Sequence, residues 1–431
     1  MARVLVLGGY GLIGAACLRR LVDAGHEVTG MGRSRRAARQ VAPDLPWVIR
    51  DIARVTEAEW RTLLRDVDAM VNASGALQDG ARDDLAAIHD HTLARLAAAL
   101  TGSATRLVQI SAAGVAPDAP TAFFRTKARG EAHLQSAGID HVILRPVLVL
   151  APEAYGGTAL LRAAAAIPLV QADILGDAPV QTVSVEDVAD AVVRAVEGQV
   201  PSGTVADLTE PGLHSLRDTT RALRAWLGLP PWRATLPLPE VLLAPITLMS
   251  DGLGHLGWRG PLRTNAVAAL RAGIRGDPSA WQATGGPACT GLDETLRRMP
   301  ATAQDRTAAM AYLLIPLLVG GLALFWMVSG LVGLARLPAA AEVLTSRGAT
   351  QGVARAAVVA GALADIALGA AVLVRPWARG ACLGMVALSL GYLLAGTVAA
   401  PDLWADPLGA FVKVIPAILA ALATAALLGP R

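Results

Sequence analysis

Short apolar runs and helical stretches alternate through the first two hundred residues. Apolar runs at 3–8, 26–33, 47–51, 69–75, 106–111, 141–150 and 204–208 read as buried strands. Between them lie stretches of helical spacing, from Leu12 to Ala24 (stopped by Gly25), 84–100, 121–137 and 184–198. The last of these has Ser184 as its N-cap and a glycine behind it. Strand and helix in alternation predict an open parallel sheet with right-handed crossovers, an α/β Rossmann-like domain. Residues 200–300 are less regular. The apolar stretch 236–249 is broken by prolines and too short to span a bilayer, and is expected to pack in a small substrate lobe rather than lie on a membrane surface.

Beyond Arg306 the pattern changes. Four apolar stretches, about 308–333, 354–374, 380–400 and 409–428, each approach the roughly 20 residues a membrane helix needs, and each link between them carries charge or proline. Stretches nearly uncharged on every face predict an all-α four-helix transmembrane domain rather than a soluble bundle. The expected organisation is a Rossmann-like domain over 1–210, a small lobe and connector over 211–306, and a membrane domain over 307–431. The N-terminus has no charged segment leading into an apolar run and cleavage site, so the first domain is expected on the cytoplasmic side of a multi-pass membrane protein.

Composition sharpens this picture. Only eleven charged residues lie between Ala308 and Arg431, which marks a different solvent for that part. The net charge of +3 argues against a nucleic-acid partner. Cys17, Cys289 and Cys382 fit no metal or redox spacing, so neither a metal site nor disulfides are expected. His89 and His91, two apart on a helix, are expected at the surface. Two lysines stand against 36 arginines, so an arginine cluster is weak evidence, whereas Lys127 carries more information.

The chemistry concentrates at strand ends. GGYGLIG, residues 8–14, follows the first strand and opens a helix. Glycines there let the backbone approach a pyrophosphate, which sits on the free N–H groups of the helix start. Gly8, Tyr10, Gly11, Leu12, Ile13 and Gly14 are the candidate pyrophosphate set. Glu27 begins strand two, at the wrong end of the sheet for a ribose acid. Arg33 ends that strand, where it could meet a 2′-phosphate, so NADP is expected, with NAD as the alternative. Asp51 and Ile52 stand where an adenine edge would be met, and Ala73, Ser74 and Gly75 are small enough to admit the ribose. Asp365 interrupts the second membrane stretch; it is either part of a proton or quinone path or a structural hydrogen-bonding group, with Ser329 or Tyr392 as partner.

GGYGLIG (8–14), VNASG (71–75), QISAAG (109–114), FFRTKARGE (123–131) and ILRP (143–146) together resemble an atypical, extended-type short-chain dehydrogenase, close to the NmrA-like proteins and the nucleotide-binding accessory subunit of respiratory complex I. The resemblance covers roughly residues 1–300 and is strongest to 150. PDLWADP (401–407) before an apolar helix resembles the DoxX-like membrane domains. The first resemblance implies that Ser111 orients a substrate carbonyl and Lys127 binds the nicotinamide ribose. It also implies that Pro146 and Val147 pass the carboxamide. The proton-donating tyrosine of that family would stand four residues before the lysine; Phe123 stands there, without an ionisable group.

Two functions follow as expectations. One is a membrane-anchored NADP(H)-dependent oxidoreductase or epimerase acting on a small lipophilic substrate, quinone- or isoprenoid-like. The other is a non-catalytic NADP(H) sensor or assembly factor tethered to the membrane. Expected partners are membrane lipid and either a membrane redox complex or a second copy of the chain.

Overall fold

A computed structural model describes residues 1–80, 84–258, 264–407 and 409–429. The chain forms two compact units, Met1–Leu248 with Pro261–Arg306, and Met249–Gly260 with Thr307–Arg431.

The first unit begins β1 (Arg3–Leu7), α1 (Leu12–Asp23), β2 (Glu27–Gly32), α2 (Arg35–Val41), β3 (Trp47–Ile49), α3 (Glu57–Leu63) and β4 (Ala69–Asn72). It continues α4 (Thr92–Leu100), β5 (Arg106–Ile110), α5 (Ala122–Ser136) and β6 (His141–Pro146). Then come β7 (Leu148–Leu150), α6 (Gly156–Ala166), β8 (Val170–Asp173), β9 (Pro179–Val180), β10 (Thr182–Ser184), α7 (Val185–Val196) and β11 (Val205–Leu208). The main sheet is parallel, in the order β11-β6-β5-β4-β1-β2-β3. The chain leaves β1 in both directions, so the crevice at the carboxyl ends of β1 and β4 is the topological switch point where such sheets bind ligands. Val4, Val6 and Val71 point into one core with α1 and α7, and Leu5, Leu7 and Met70 into another with α3 and α4. Those strands are apolar on both faces because helices cover both.

The long strand expected over 141–150 is broken at Val147: Pro146 ends β6, and β7 pairs instead with β10. The rest of the unit is β12 (His214–Ser215), α8 (Leu216–Trp226), β13 (Ala234–Pro237), most of α9 (Leu243–His255), α10 (Thr264–Ala272), α11 (Ser279–Ala283) and α12 (Leu292–Arg298). β12 pairs with β9 and β13 with β8, so segments on both sides of residue 210 build the small lobe.

In the second unit α13 (Ala303–Ala335), α15 (Gln351–Ala371) and α16 (Arg375–Ala399) are long and apolar enough to cross a membrane, and α14 (Leu337–Thr345) lies in the first link. The fourth apolar stretch forms only the 14-residue α17 (Val414–Leu427). At 1.5 Å per residue it is about 21 Å long, short of the roughly 30 Å hydrocarbon layer. Two contacts nevertheless close a bundle. Arg347 pairs with Asp402 (Nε–Oδ1 3.1 Å), which puts the links after α13 and α16 at one end. The Arg375 guanidinium donates to Leu428 O at 2.6 Å, which returns the end of α17 to the start of α16. Inside, the Tyr392 hydroxyl donates to Asp365 Oδ1 at 3.1 Å, and Ser329 hydrogen-bonds the same carboxylate.

Candidate functional site

The glycine turn is built for close approach. Gly8 has φ +68°, and a Cβ there would come within 2.8 Å of Ser74 Cα. A Cβ on Gly14 would run into Gly8 O, so α1 can sit directly on the turn. Gly11 N–H donates to Gly8 O at 2.8 Å. Gly11 caps α1 without a side-chain hydrogen bond, which leaves the start of the helix, Leu12, Ile13 and Gly14, open to an anion. Ala73, Ser74 and Gly75 follow β4 beside this turn. The Ser74 backbone and hydroxyl both donate to Asn72 Oδ1, while Asn72 Nδ2 donates to Gln109 Oε1 at 2.8 Å. That buried amide ladder fixes the ends of β4 and β5 against each other.

At the far end of the crevice the Arg33 N–H donates to the Tyr10 hydroxyl at 2.9 Å, and the Tyr10 ring lies where a Gly32 side chain would be. Tyr10 also stacks on Trp47 at 6.2 Å. Its phenol therefore belongs to the end of β2. Arg33 is exposed beside it, and no acid follows β2. Glu27 is in register with Arg3 at the opposite end of the strands. Asp51 accepts from Ala53 N at 3.1 Å and caps a short 3-10 turn, which turns Ile52 into the core beneath.

The third group lies at the ends of β5 and β6. Thr121 caps α5, whose face carries Phe123, Lys127 and Glu131 one turn apart. Lys127 is buried; its Nζ donates to Ile110 O at 3.2 Å and stands 5.5 Å from the centre of the Phe123 ring. Burial, partly opposed by Glu131, pulls its pKa down from 10.5 to about 8. Glu131 is fully engaged by the Arg145 guanidinium. The Ser111 hydroxyl is buried and has no hydrogen-bond partner among the described residues. A buried unpartnered hydroxyl is costly, and the cost is recovered when a ligand supplies the partner. Pro146 O accepts from Ala113 N at 3.0 Å, and Val147 N donates to Leu208 O at 3.2 Å, so the Val147 amide is engaged within the sheet.

The expectation that His89 lies at the surface is corrected. His89 is buried, its Nδ1 is 3.1 Å from Thr126 Oγ1, and its Nε2 accepts from Ala76 N at 3.3 Å. Because Nε2 accepts, the proton sits on Nδ1 and goes to Thr126, whose hydroxyl in turn donates to Phe123 O at 3.0 Å. The imidazole meets the Phe123 ring edge-on at 5.5 Å. Burial and the Lys127 charge push its pKa down to about 3, so it stays neutral. Residues 87–91 form a π-helical turn, which carries His89 inward. The sequence signal was Gly130, a glycine inside α5 whose Cβ would strike His89 O. His91 is exposed. Tyr155, at the start of α6, is also exposed. No group of metal-ligating side chains occurs among the described residues.

Residues 8–199 match the NAD(P)H-binding family, and residues 323–422 match the DoxX-like family. No curated protein matches the chain. The chain is similar in structure to the Bordetella bronchiseptica enzyme WbmH, solved with NAD+, at 22% identity and a TM-score of 0.53, over 71% of this chain and 99% of that one. It is also similar to the Thermus thermophilus UDP-glucose 4-epimerase, solved with NAD, at 18% identity and a TM-score of 0.53, over 70% and 100% of the two chains. At that identity the likeness is one of fold. The chain thus carries a domain that matches the NAD(P)H-binding family and shares its fold with these enzymes, followed by a DoxX-like domain, and three of its helices are apolar and long enough to cross a membrane.

Proposed function

We propose that the protein is a membrane-anchored, NADP(H)-dependent oxidoreductase or epimerase acting on a small lipophilic substrate of quinone or isoprenoid type, with its cofactor domain on the cytoplasmic side. The observation that carries it is the unpartnered, buried Ser111 hydroxyl at the carboxyl end of β5, with Lys127 bonded to the neighbouring residue. A structural serine would be satisfied; this one is set up to donate to a substrate oxygen. The open start of α1 would hold the pyrophosphate, Lys127 the nicotinamide ribose, and Arg33 the 2′-phosphate. The nicotinamide would supply or accept hydride. Arg33, with no acid after β2, favours NADP, although the similar structures named above were solved with NAD.

Phe123 favours a substrate whose reduction needs no proton from the helix, as with a quinone that takes hydride and then a solvent proton. The same residue supports the second reading, a tethered NADP(H) sensor or assembly factor without turnover. Purified full-length protein in nanodiscs, screened for NADPH oxidation with quinones and isoprenoid carbonyls, separates the two. Turnover that falls at least tenfold in Ser111→Ala while NADPH still binds supports the enzyme; tight binding with no turnover on any acceptor supports the sensor.

A further inference from the structure

α9 is apolar on its exposed side. Its buried positions are Leu243, Thr247 and Gly254, whereas Ile246, Leu248 and Met249, with Leu242 just before the helix and Leu256 just after it, are exposed, Leu248 at 74% and Met249 at 63%. Leu243 and Thr247 face Val267 of α10 across a cavity of about 360 Å³, rimmed by the Glu240–Arg271 ion pair. The helix thus satisfies its protein contacts with one leucine and small residues and presents its larger apolar residues outward, the reverse of a helix in a water-soluble domain.

Where α9 ends supplies the second observation. α9 runs from the first unit into the second, and Gly257, at φ +88°, stops it. Within the second unit Arg375 N–H donates to Leu256 O at 3.0 Å, and the Trp258 indole N–H donates to Leu373 O at 2.6 Å. The Arg375 guanidinium lies 5.4 Å from the Trp258 ring. Leu373–Arg375 joins α15 to α16, and Trp377 and Arg379 follow, Trp377 exposed at 64%. Tryptophan and arginine at the end of a spanning helix pair mark the membrane–water boundary. The segment that ends α9, which belongs to the second unit, is therefore tied by hydrogen bonds to that boundary.

We propose that α9 lies in the plane of the membrane and sinks Leu242, Ile246, Leu248 and Met249 into the lipid headgroup–acyl boundary, as a second anchor of the cofactor-binding unit. The occupant of this face is lipid. The inference rests on the reading of α13, α15 and α16 as spanning helices, and it deepens the proposed function, because an in-plane helix on the substrate lobe brings that lobe to the depth at which a lipophilic substrate resides.

The test uses full-length protein in nanodiscs, with an environment-sensitive fluorophore on Leu248→Cys, on Met249→Cys as a second position, on Leu324→Cys within α13, and on Gln40→Cys in α2. The native cysteines are all buried and take up little label. Lipids carrying a nitroxide near the headgroup should quench positions 248 and 249 several-fold more than lipids with a deep nitroxide. Leu324→Cys should respond most to a lipid nitroxide, and Gln40→Cys only to aqueous iodide. Quenching of 248 and 249 by iodide and not by lipid overturns the proposal, as does shielding of both from either quencher, which would mean a protein partner. If the label on Leu324→Cys is not quenched by lipid either, the spanning reading itself has failed.

Discussion

Replacing Lys127 with Met should make the protein more stable and worse at holding its cofactor. Burial has lowered the Lys127 pKa from 10.5 to about 8, which amounts to roughly 3 kcal/mol of preference for the neutral amine. Its hydrogen bond to Ile110 O offsets about 1 kcal/mol of that. Ile110 O keeps a second donor, Gln109 Nε2 at 2.9 Å, so the variant leaves no carbonyl stranded. The net expectation at pH 7 is a gain of about 2 kcal/mol, or about 4–8 °C in Tm for the first unit. The folded pKa lies below the unfolded one, so between about pH 8 and 10.5 the unfolded chain binds more protons and wild-type stability rises with pH. The advantage of Lys127→Met is therefore full below pH 8 and fades toward pH 10.5. Thermal unfolding in nanodiscs without cofactor, at pH 7 and pH 10, measures it. NADPH titration of the same variant should show affinity weakened by about 10- to 150-fold, the loss of a hydrogen bond from a charged group. An equal Tm change at both pH values, or a loss at pH 7, would refute a charged, desolvated amine at this position.

Arg33→Ala should cost about 1.5–3 kcal/mol of NADPH affinity and leave NADH affinity unchanged; equal wild-type affinity for the two cofactors removes the 2′-phosphate contact. Phe123→Tyr should raise carbonyl reduction by up to about 10²–10⁴-fold and leave quinone reduction nearly unchanged, since only the former needs the positioned acid; no change with any carbonyl would mean that no substrate oxygen reaches this turn of α5. Gly14→Ala pushes a methyl into Gly8 O and should cost about 1–3 kcal/mol in stability and abolish NAD(P)H binding, both read by calorimetry. A reporter fused after Arg431 should be active on the side of the cofactor domain, because α17 returns to the end where α16 begins; activity on the opposite side means an odd number of passes.

Much of this was legible because the signals are local. The glycine turn needs Gly8 and Gly14 for contacts a few residues away, and apolar runs closed by glycine mark strands whatever surrounds them. Lys127 and Phe123, four apart, meet on one face simply because α5 is a regular helix. The missed features depend on non-local facts. His89 looked superficial on ideal helical spacing, but the π turn at 87–91 shifts the phase of everything before it. The break at Val147 follows from pairing with distant Leu208 and β10, which no window around 141–150 contains. The outward face of α9 was hidden because prolines obscure its periodicity. Arg347, a charge in the link between two apolar helices, finds its partner in Asp402, 55 residues away, which no local window contains.

The π turn also sets where this domain tolerates a change of length. Thr92 N–H and Oγ1 both reach Ala87 O, closing a loop wider by one residue than an α-helix would hold. Deleting one residue from an ordinary helix shifts every later side chain off its face. Deleting one within 87–91 instead lets the backbone relax to an uninterrupted α-helix, with Leu93, Leu96 and Leu100 still in the core. What it removes is the inward-turned imidazole and its hold on Ala76 and Thr126. Evolution or an engineer could thus edit the wall of this pocket by chain length alone, leaving the scaffold intact.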